Sequence, residues 1–330
     1  MNFLARFLLK KLLHLFLLLL TVSLLTFILV SLSPIDPIEA YVSAAERLYL
    51  TPDQRESIAQ HWGLDRPMFA RFFLWLGQLL QGNLGESMTY HQSVSAAIAE
   101  RFQASLMLMA MAWLLSGVFG VFLGILAGAK EGSLLDQTIR LYAYTLASAP
   151  TFWIALVLLI LFSVMLQVTP TCCATPPGVL LKDVTIWQRF HHLLLPALAL
   201  SLIGVASIAL HTREKLIEIL HSNYAVFAYA QGETKTGVIL HHGLRNIALP
   251  AITLQFASLS ELFGGSVLAE NVFGYPGLGD ATTQAALRSD VPLLVGIVFF
   301  SAIFVFVGNT IADLSYQIVD PRIRIERFTR

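Results

Sequence analysis

The sequence is poor in charged residues, and this scarcity excludes whole classes of protein. Only 13% of the 330 residues are Asp, Glu, Lys or Arg, whereas 56% are hydrophobic. So few charged side chains cannot coat a soluble globule of this size, and most of the surface must therefore face lipid. Lys+Arg and Asp+Glu both total 21, so no net positive field favours a nucleic-acid partner.

Cysteine is nearly absent as well. The chain has 2 cysteines, and they are adjacent, at Cys172 and Cys173. This spacing suits neither a structural zinc site nor an ordinary disulfide framework. We expect free thiols packed into the fold, with a soft-metal or redox contact as the alternative.

Long uncharged runs dominate the rest of the sequence. About 20 helical residues cross a hydrocarbon core of roughly 30 Å. Six runs reach that length, at residues 12–33, 104–129, 141–169, 193–212, 247–269 and 291–312. The first follows Arg6, Lys10 and Lys11, like a signal peptide, but it ends without a small-x-small cleavage pattern, so we expect a retained helix. The sequence predicts an all-α integral membrane protein with six transmembrane helices.

The distribution of Lys and Arg predicts the orientation. If the N-terminus is cytoplasmic, inner segments hold most of these residues, including Arg213 and Arg245, while the short outer loops hold only Lys182, Arg189 and Arg288. Both termini are then cytoplasmic. The predicted regions are the first helix at 1–33, an outer loop at 34–102, and a core at 103–330 with a cytoplasmic loop at 213–248.

The outer loop is expected to fold rather than serve as a linker. Within it, Thr51 can cap a helix whose first position is Pro52.

The cytoplasmic loop has the pattern of helix, glycine turn, helix. Tyr224–Gln231 predicts a short aromatic helix that Gly232 ends, and residues 238–246 predict a second, amphipathic piece. An exposed helix rich in Tyr and Phe is typical of a docking surface. Gly232 and Gly237 superficially resemble a phosphate loop, but Val238 follows where Lys is needed and no strand precedes. Any ATPase must be another chain.

Several ordered stretches resemble the permease subunits of the dipeptide, oligopeptide and nickel branch of ABC importers, the nickel type most of all. They are residues 63–67, Gly232 with 241–250, residues 270–279, residues 288–292 and residues 320–324. The resemblance covers almost the entire chain. It implies a type I ABC importer permease fold in the bacterial cytoplasmic (inner) membrane.

The same resemblance implies partners and contact residues. The partners are a second homologous permease, two cytoplasmic ATPases, an extracytoplasmic substrate-binding protein and membrane lipid. This chain binds no cofactor, because ATP and Mg²⁺ belong to the ATPases. The implied ATPase-coupling residues are Tyr224, Ala228, Ala230, Gly232, Arg245, Asn246 and Pro250, and the family signature residues are Glu270, Pro276, Gly277, Gly279, Asp320, Pro321 and Arg322.

Glu261 is the outstanding candidate for a cargo contact, because ionisable side chains within a membrane are costly and usually functional. Gly264 and Gly265 follow it and permit close approach. Nickel-type members of the branch resemble this arrangement. We therefore expect these three residues to line a translocation path for nickel or a metal chelate, with Glu261 as a possible metal ligand.

Other interpretations remain open at this point. Glu261 could instead meet the ammonium group of a di- or oligopeptide, or pair with Arg213 or a hydroxyl within the helix bundle. The sequence offers no nucleophile with a base and an orienting group, so we do not expect an enzyme. An intramembrane enzyme or a membrane protein without transport activity are distant alternatives.

Overall fold

The computed structural model describes residues 3–32, 51–61, 67–176, 178–179, 183–288 and 290–319. The signature residues Asp320, Pro321 and Arg322, and residues 63–66 of the outer-loop stretch, lie outside these ranges. The helices are Phe3–Leu32 (α1), Pro52–His61 (α2), Met68–Leu80 (α3), Val94–Ala129 (α4), Leu134–Ser148 (α5), Thr151–Leu158 (α6), Ile186–Leu220 (α7), Asn223–Ala230 (α8), Lys235–Val238 (α9), Leu244–Ala257 (α10), Leu259–Phe273 (α11), Leu278–Leu287 (α12) and Val291–Val319 (α13). Strands Glu86–Ser87 (β1) and Gln92–Ser93 (β2) form an antiparallel hairpin, and π-helical turns Leu159–Met165 and Ile239–Gly243 extend α6 and α9.

The described helices include 4 that are long and apolar enough to cross a membrane, and 2 bent pairs raise the number to as many as 6. The four are Leu9–Leu29 within α1, the whole of α4 and α7, and Val291–Ser315 within α13. In the predicted outer loop, Thr51 Oγ1 accepts a hydrogen bond from the Gln54 amide at the start of α2, so the predicted cap is confirmed.

The third predicted span, residues 141–169, is not one continuous helix. Helices α5 and α6 meet at 113°. Pro150 has no amide hydrogen to donate and disfavours helical backbone at the residue before it, and Ala149 accordingly takes φ −90° and ψ 138°. The fifth predicted span also bends, by 49° between α10 and α11.

The chain divides into two compact units. The first comprises Met1–Ala104 and Gly277–Phe306, and the second Ser105–Pro276 and Val307–Arg330. In the first unit, the buried carboxylate of Asp290 accepts hydrogen bonds from Ser87 Oγ at 2.7 Å, from the Thr89 amide at 2.8 Å and from the Leu293 amide at 3.1 Å. One side chain therefore caps the start of α13 and fixes the β-hairpin.

In the second unit, a row of glycines brings α4 against the backbone of α7. A Cβ added at Gly120 would lie 2.7 Å from Ile208 Cβ, and one at Gly124 would lie 2.6 Å from the Ala209 carbonyl oxygen. Gly128 continues the row one turn later, next to the Arg213 carbonyl oxygen. Glycines spaced by four residues lie on one helix face, and in membranes such faces allow close helix packing.

A buried ion pair joins α5 to α7. Asp136, which is fully buried, accepts hydrogen bonds from Arg213 Nε at 2.5 Å and from Arg213 Nη2 at 2.7 Å. This two-pronged geometry satisfies both oxygens of the carboxylate. The Gly132 amide donates a further bond to the same carboxylate at 3.0 Å.

The two cysteines form a disulfide with each other, so the expectation of free thiols is wrong. Sequence spacing alone did not reveal the sharp local turn, in which Cys173 takes a φ of 75°. The Cys173 amide donates a hydrogen bond to the Phe273 carbonyl at 3.1 Å, and His192 Nδ1 lies 3.2 Å from both cysteine carbonyl oxygens. The loop is thereby held against the end of α11 and the start of α7.

The glycine row generates a stability prediction. Gly124→Ala places a methyl group against the backbone of α7, where it cannot be accommodated without separating the helices, and we expect a loss of about 1–3 kcal/mol. The measurement is the thermal unfolding midpoint of the purified protein in detergent. Gly77→Ala is the control, because nothing lies within 4 Å of its added Cβ. Equal midpoints for the two variants would contradict the packing role.

Candidate functional site

Glu261 lies in the first turn of α11, beside the bend that separates this helix from α10. Its side chain is exposed to a cavity of about 270 Å³. Most of the lining is apolar, and the polar side chains Thr151 and Ser258 complete it. A carboxylate in such surroundings attracts a cation more strongly than it would in bulk water, because less water screens it.

The two glycines after Glu261 have different roles. A Cβ at Gly264 would meet nothing within 4 Å, so this position faces the open cavity. A Cβ at Gly265 would lie 2.8 Å from Leu200 Cδ1, so the tip of this α7 side chain packs over the second glycine. The three residues that the sequence groups together do line one cavity, although only Gly264 leaves room in it.

The alternative that pairs Glu261 with Arg213 is wrong, because Arg213 is committed to Asp136. The sequence analysis did not single out Asp136, which occupies the N-terminal turn of α5 behind the capping residue Ser133. That capping pattern could have located the residue in the sequence, but its pairing with Arg213 depends on the packing of α5 against α7.

A metal centre finds no support in the geometry. Within the described part of the chain, no group of 3 or more His, Cys, Asp or Glu side chains could hold a metal ion. A metal ion bound at Glu261 would therefore have few other protein ligands.

The helix α8 presents an apolar surface that the described part of the chain leaves exposed. Ala225 and Ala228 are buried against a cluster that includes Leu216 of α7 and Ile247 of α10. The rest of the helix surface is exposed and carries four large apolar or aromatic residues, which we call the α8 surface: Tyr224, Val226, Phe227 and Tyr229. Gly232 follows with φ +90°, the left-handed conformation that ends a helix and favours glycine.

These positions change the set of candidate coupling residues. Tyr224 and Ala230 are exposed, whereas Ala228 is buried against the chain's own core and leaves little surface for a partner. Val226 and Phe227 were not among the candidates, and both are more exposed than Tyr224. Ala225 and Ala228 are three residues apart and therefore lie on one side of the helix. Two small residues on one side were the signal that could have identified the packed face, and hence the exposed one.

The remaining coupling candidates lie in α10. Arg245 and Asn246 are exposed, and Asn246 Nδ2 donates a hydrogen bond to the His242 carbonyl at 2.8 Å. Pro250 lies inside α10. The predicted second helical piece is continuous with α10 through the π-helical turn at Ile239–Gly243.

The signature stretch forms the end of α11. Glu270 is fully buried and accepts a hydrogen bond from Ser105 Oγ at 2.6 Å. Gly274 ends the helix with a φ of 54°, and the Tyr275 amide donates to the Glu270 carbonyl at 2.9 Å. Burial, with a contribution from nearby Glu270, raises the pKa of Tyr275 to about 12. These contacts give Glu270 a structural role, while Gly279 is buried in α12 of the other unit.

Comparison with known proteins agrees with this architecture. Residues 120–325 match the family "Binding-protein-dependent transport system inner membrane component", and residues 4–109 match the N-terminal family of the same membrane components. The Di/tripeptide transport system permease protein DppB of Pseudomonas aeruginosa is 34% identical, over 93% of this chain and 95% of its own. The Oligopeptide transport system permease protein AppB of Bacillus subtilis is 33% identical, over 92% of this chain and 95% of its own.

The Dipeptide transport system permease protein DppB of Escherichia coli K12 is also 33% identical, over 92% of this chain and 94% of its own. The names of these three relatives lend no support to the nickel interpretation. The match covers both the outer-loop region and the helical core. The chain therefore belongs to the family of binding-protein-dependent transport system inner membrane components, within the dipeptide and oligopeptide branch of ABC importer permeases.

Proposed function

We propose that this permease imports di- or oligopeptides, and that Glu261 meets the ammonium group of the peptide during translocation. The observation that carries the proposal is the exposed Glu261 carboxylate in a largely apolar cavity beside a bend in a membrane span. Relatives named for peptide transport favour this cargo over nickel or a metal chelate.

A peptide suits this cavity better than a bare metal ion does. A peptide brings one cation that needs a carboxylate, together with apolar and polar groups that the remaining lining can contact. The ammonium group donates up to three hydrogen bonds, and Thr151 and Ser258 supply hydroxyl oxygens near the carboxylate. Nickel prefers several nitrogen or sulfur ligands, which the cavity lining does not provide.

The α8 surface is the proposed dock for the ATPase. Its four exposed side chains form an apolar face on a loop that the charge distribution predicts to be cytoplasmic. Ala225 and Ala228 tie the helix to α7 and α10, so a push on α8 reaches both membrane helices. We propose that ATP-driven closure of two ATPases moves α8 as a rigid body and switches the access of the pore, in a complex with a second permease and a binding protein.

The docking proposal predicts that a negative charge on the α8 surface weakens the binding of the ATPase. Phe227→Glu places a carboxylate in the apolar contact, and we expect about tenfold less ATPase to co-purify with the permease. The control is Ile186→Glu at the far end of α7, because Ile186 is 88% exposed, compared with 63% for Phe227. An undiminished ATPase complex with Phe227→Glu would count against docking at α8.

The cargo proposal predicts a requirement for charge at position 261. Glu261→Gln keeps the size of the side chain but removes the charge, and we expect dipeptide uptake to fall about tenfold, since bonds to charged groups contribute roughly 1.5–3 kcal/mol. Glu261→Asp keeps the charge and should retain most of the uptake.

Uptake of radiolabelled dipeptide and accumulation of nickel are measured in the same cells. Nickel accumulation that falls in Glu261→Gln while dipeptide uptake stays unchanged would refute the peptide assignment and restore the metal interpretation. Dipeptide uptake that is equal in all variants would remove Glu261 from the cargo path.

A further inference from the structure

Helix α3, in the predicted outer loop, has a large apolar face that the described residues of its own unit leave exposed. Phe69 is 78% exposed, Phe73 66% and Leu80 80%. At 100° per residue, these three positions fall within about 40° of one another around the helix. They therefore form one continuous stripe, which we call the α3 stripe.

A different side of α3 packs against the membrane-spanning helix α1. Phe72 and Leu79 are both buried. The ring of Phe72 meets that of Phe27 edge-on at 5.3 Å, and the ring of Trp75 lies 6.2 Å from Phe27. Phe27 lies in the last two turns of the membrane-spanning helix α1, which ends at Leu32. The contact therefore lies at the end of that span, where Trp is typically enriched at the membrane surface.

The remaining sides of α3 are compatible with a position at the membrane surface. Gln78 is exposed and lies about 180° around the helix from Phe69. With its packed side turned towards α1, α3 carries the α3 stripe on one flank and Gln78 on the opposite flank. An apolar stripe on one side and a polar position opposite it are the pattern of a helix lying in the membrane interface.

The lipid-facing surface of α1 continues into the α3 stripe. Only 6% of the apolar window of α1 is buried, and Leu25 and Leu29, close to Phe27, are both exposed. Exposed apolar side chains on a membrane-spanning helix suit contact with lipid, and an exposed apolar stripe on a helix packed against its end suits the same solvent.

We propose that α3 lies in the lipid–water interface of the outer leaflet, with Phe69, Phe73 and Leu80 among the lipid chains and Gln78 in water. The surface partner is phospholipid, rather than the binding protein or the second permease. This anchor also fixes the height of the β-hairpin, which follows α3 after residues 81–85. The inference rests on the membrane insertion of α1 and not on the cargo.

Nitroxide accessibility tests the proposal. Phe73→Cys, Leu80→Cys and Gln78→Cys are labelled one at a time in the complete transporter reconstituted into phospholipid vesicles. Collision rates are measured with oxygen, which concentrates in lipid, and with chromium oxalate, which stays in water. Phe16→Cys on α1, where Phe16 is 62% exposed, gives the lipid reference. The native cysteines form a disulfide and take no label, so the unmodified chain is the blank.

We expect labels at positions 73 and 80 to collide with oxygen several-fold more often than with chromium oxalate, as at position 16, and the label at 78 to show the reverse. Dominant collisions with chromium oxalate at 73 and 80 would mean that the stripe faces water. Low collision rates with both reagents would mean that a protein subunit covers it. Either result overturns the proposal, and two labelled stripe positions guard against one disruptive substitution.

Discussion

The close contact between α4 and α7 is the constraint on which the rest of the second unit depends. It exists because Gly120, Gly124 and Gly128 carry no side chain where the backbone of α7 passes. In lipid, no water is released when apolar helices meet, so close packing and internal hydrogen bonds must supply the attraction. Once α7 is held in this way, it supports α5 through Arg213, α11 through Leu200 and α8 through its C-terminal end.

Three carboxylates of the second unit, Asp136, Glu261 and Glu270, are of two kinds. Asp136 and Glu270 are fully buried, and each accepts hydrogen bonds from another helix or from a helix end. Such groups are costly to bury and are stabilised by their partners, so they hold helices together. Glu261 is exposed to a cavity instead. The buried carboxylates support the fold, whereas the exposed one is available to a ligand. A hydropathy profile does not distinguish the two kinds.

Sequence reasoning predicted the features that depend on local chemistry. Apolar runs located the membrane helices, Thr51 and Pro52 located the start of α2, and Gly232 located the end of α8. Features that depend on distant contacts were missed, such as the pairing of Asp136 with Arg213. Pro150 was visible in the sequence, but the apolar run did not reveal the bend. Both helices on either side of the bend are apolar, so hydropathy does not distinguish a bent span from a straight one. The inward direction of Ala228 follows only from the packing of α8 on its neighbours.

Asp290 sets an order for assembly during synthesis. Ser87 donates to its carboxylate across a separation of 203 residues. Ribosomes make a chain from its N-terminus, so the outer hairpin exists for most of translation without the acceptor that fixes it. The hairpin can reach its final conformation only after the last membrane helix has begun to emerge. A chain that stalls before Asp290 therefore leaves this hairpin without the carboxylate to which Ser87 and the Thr89 amide donate.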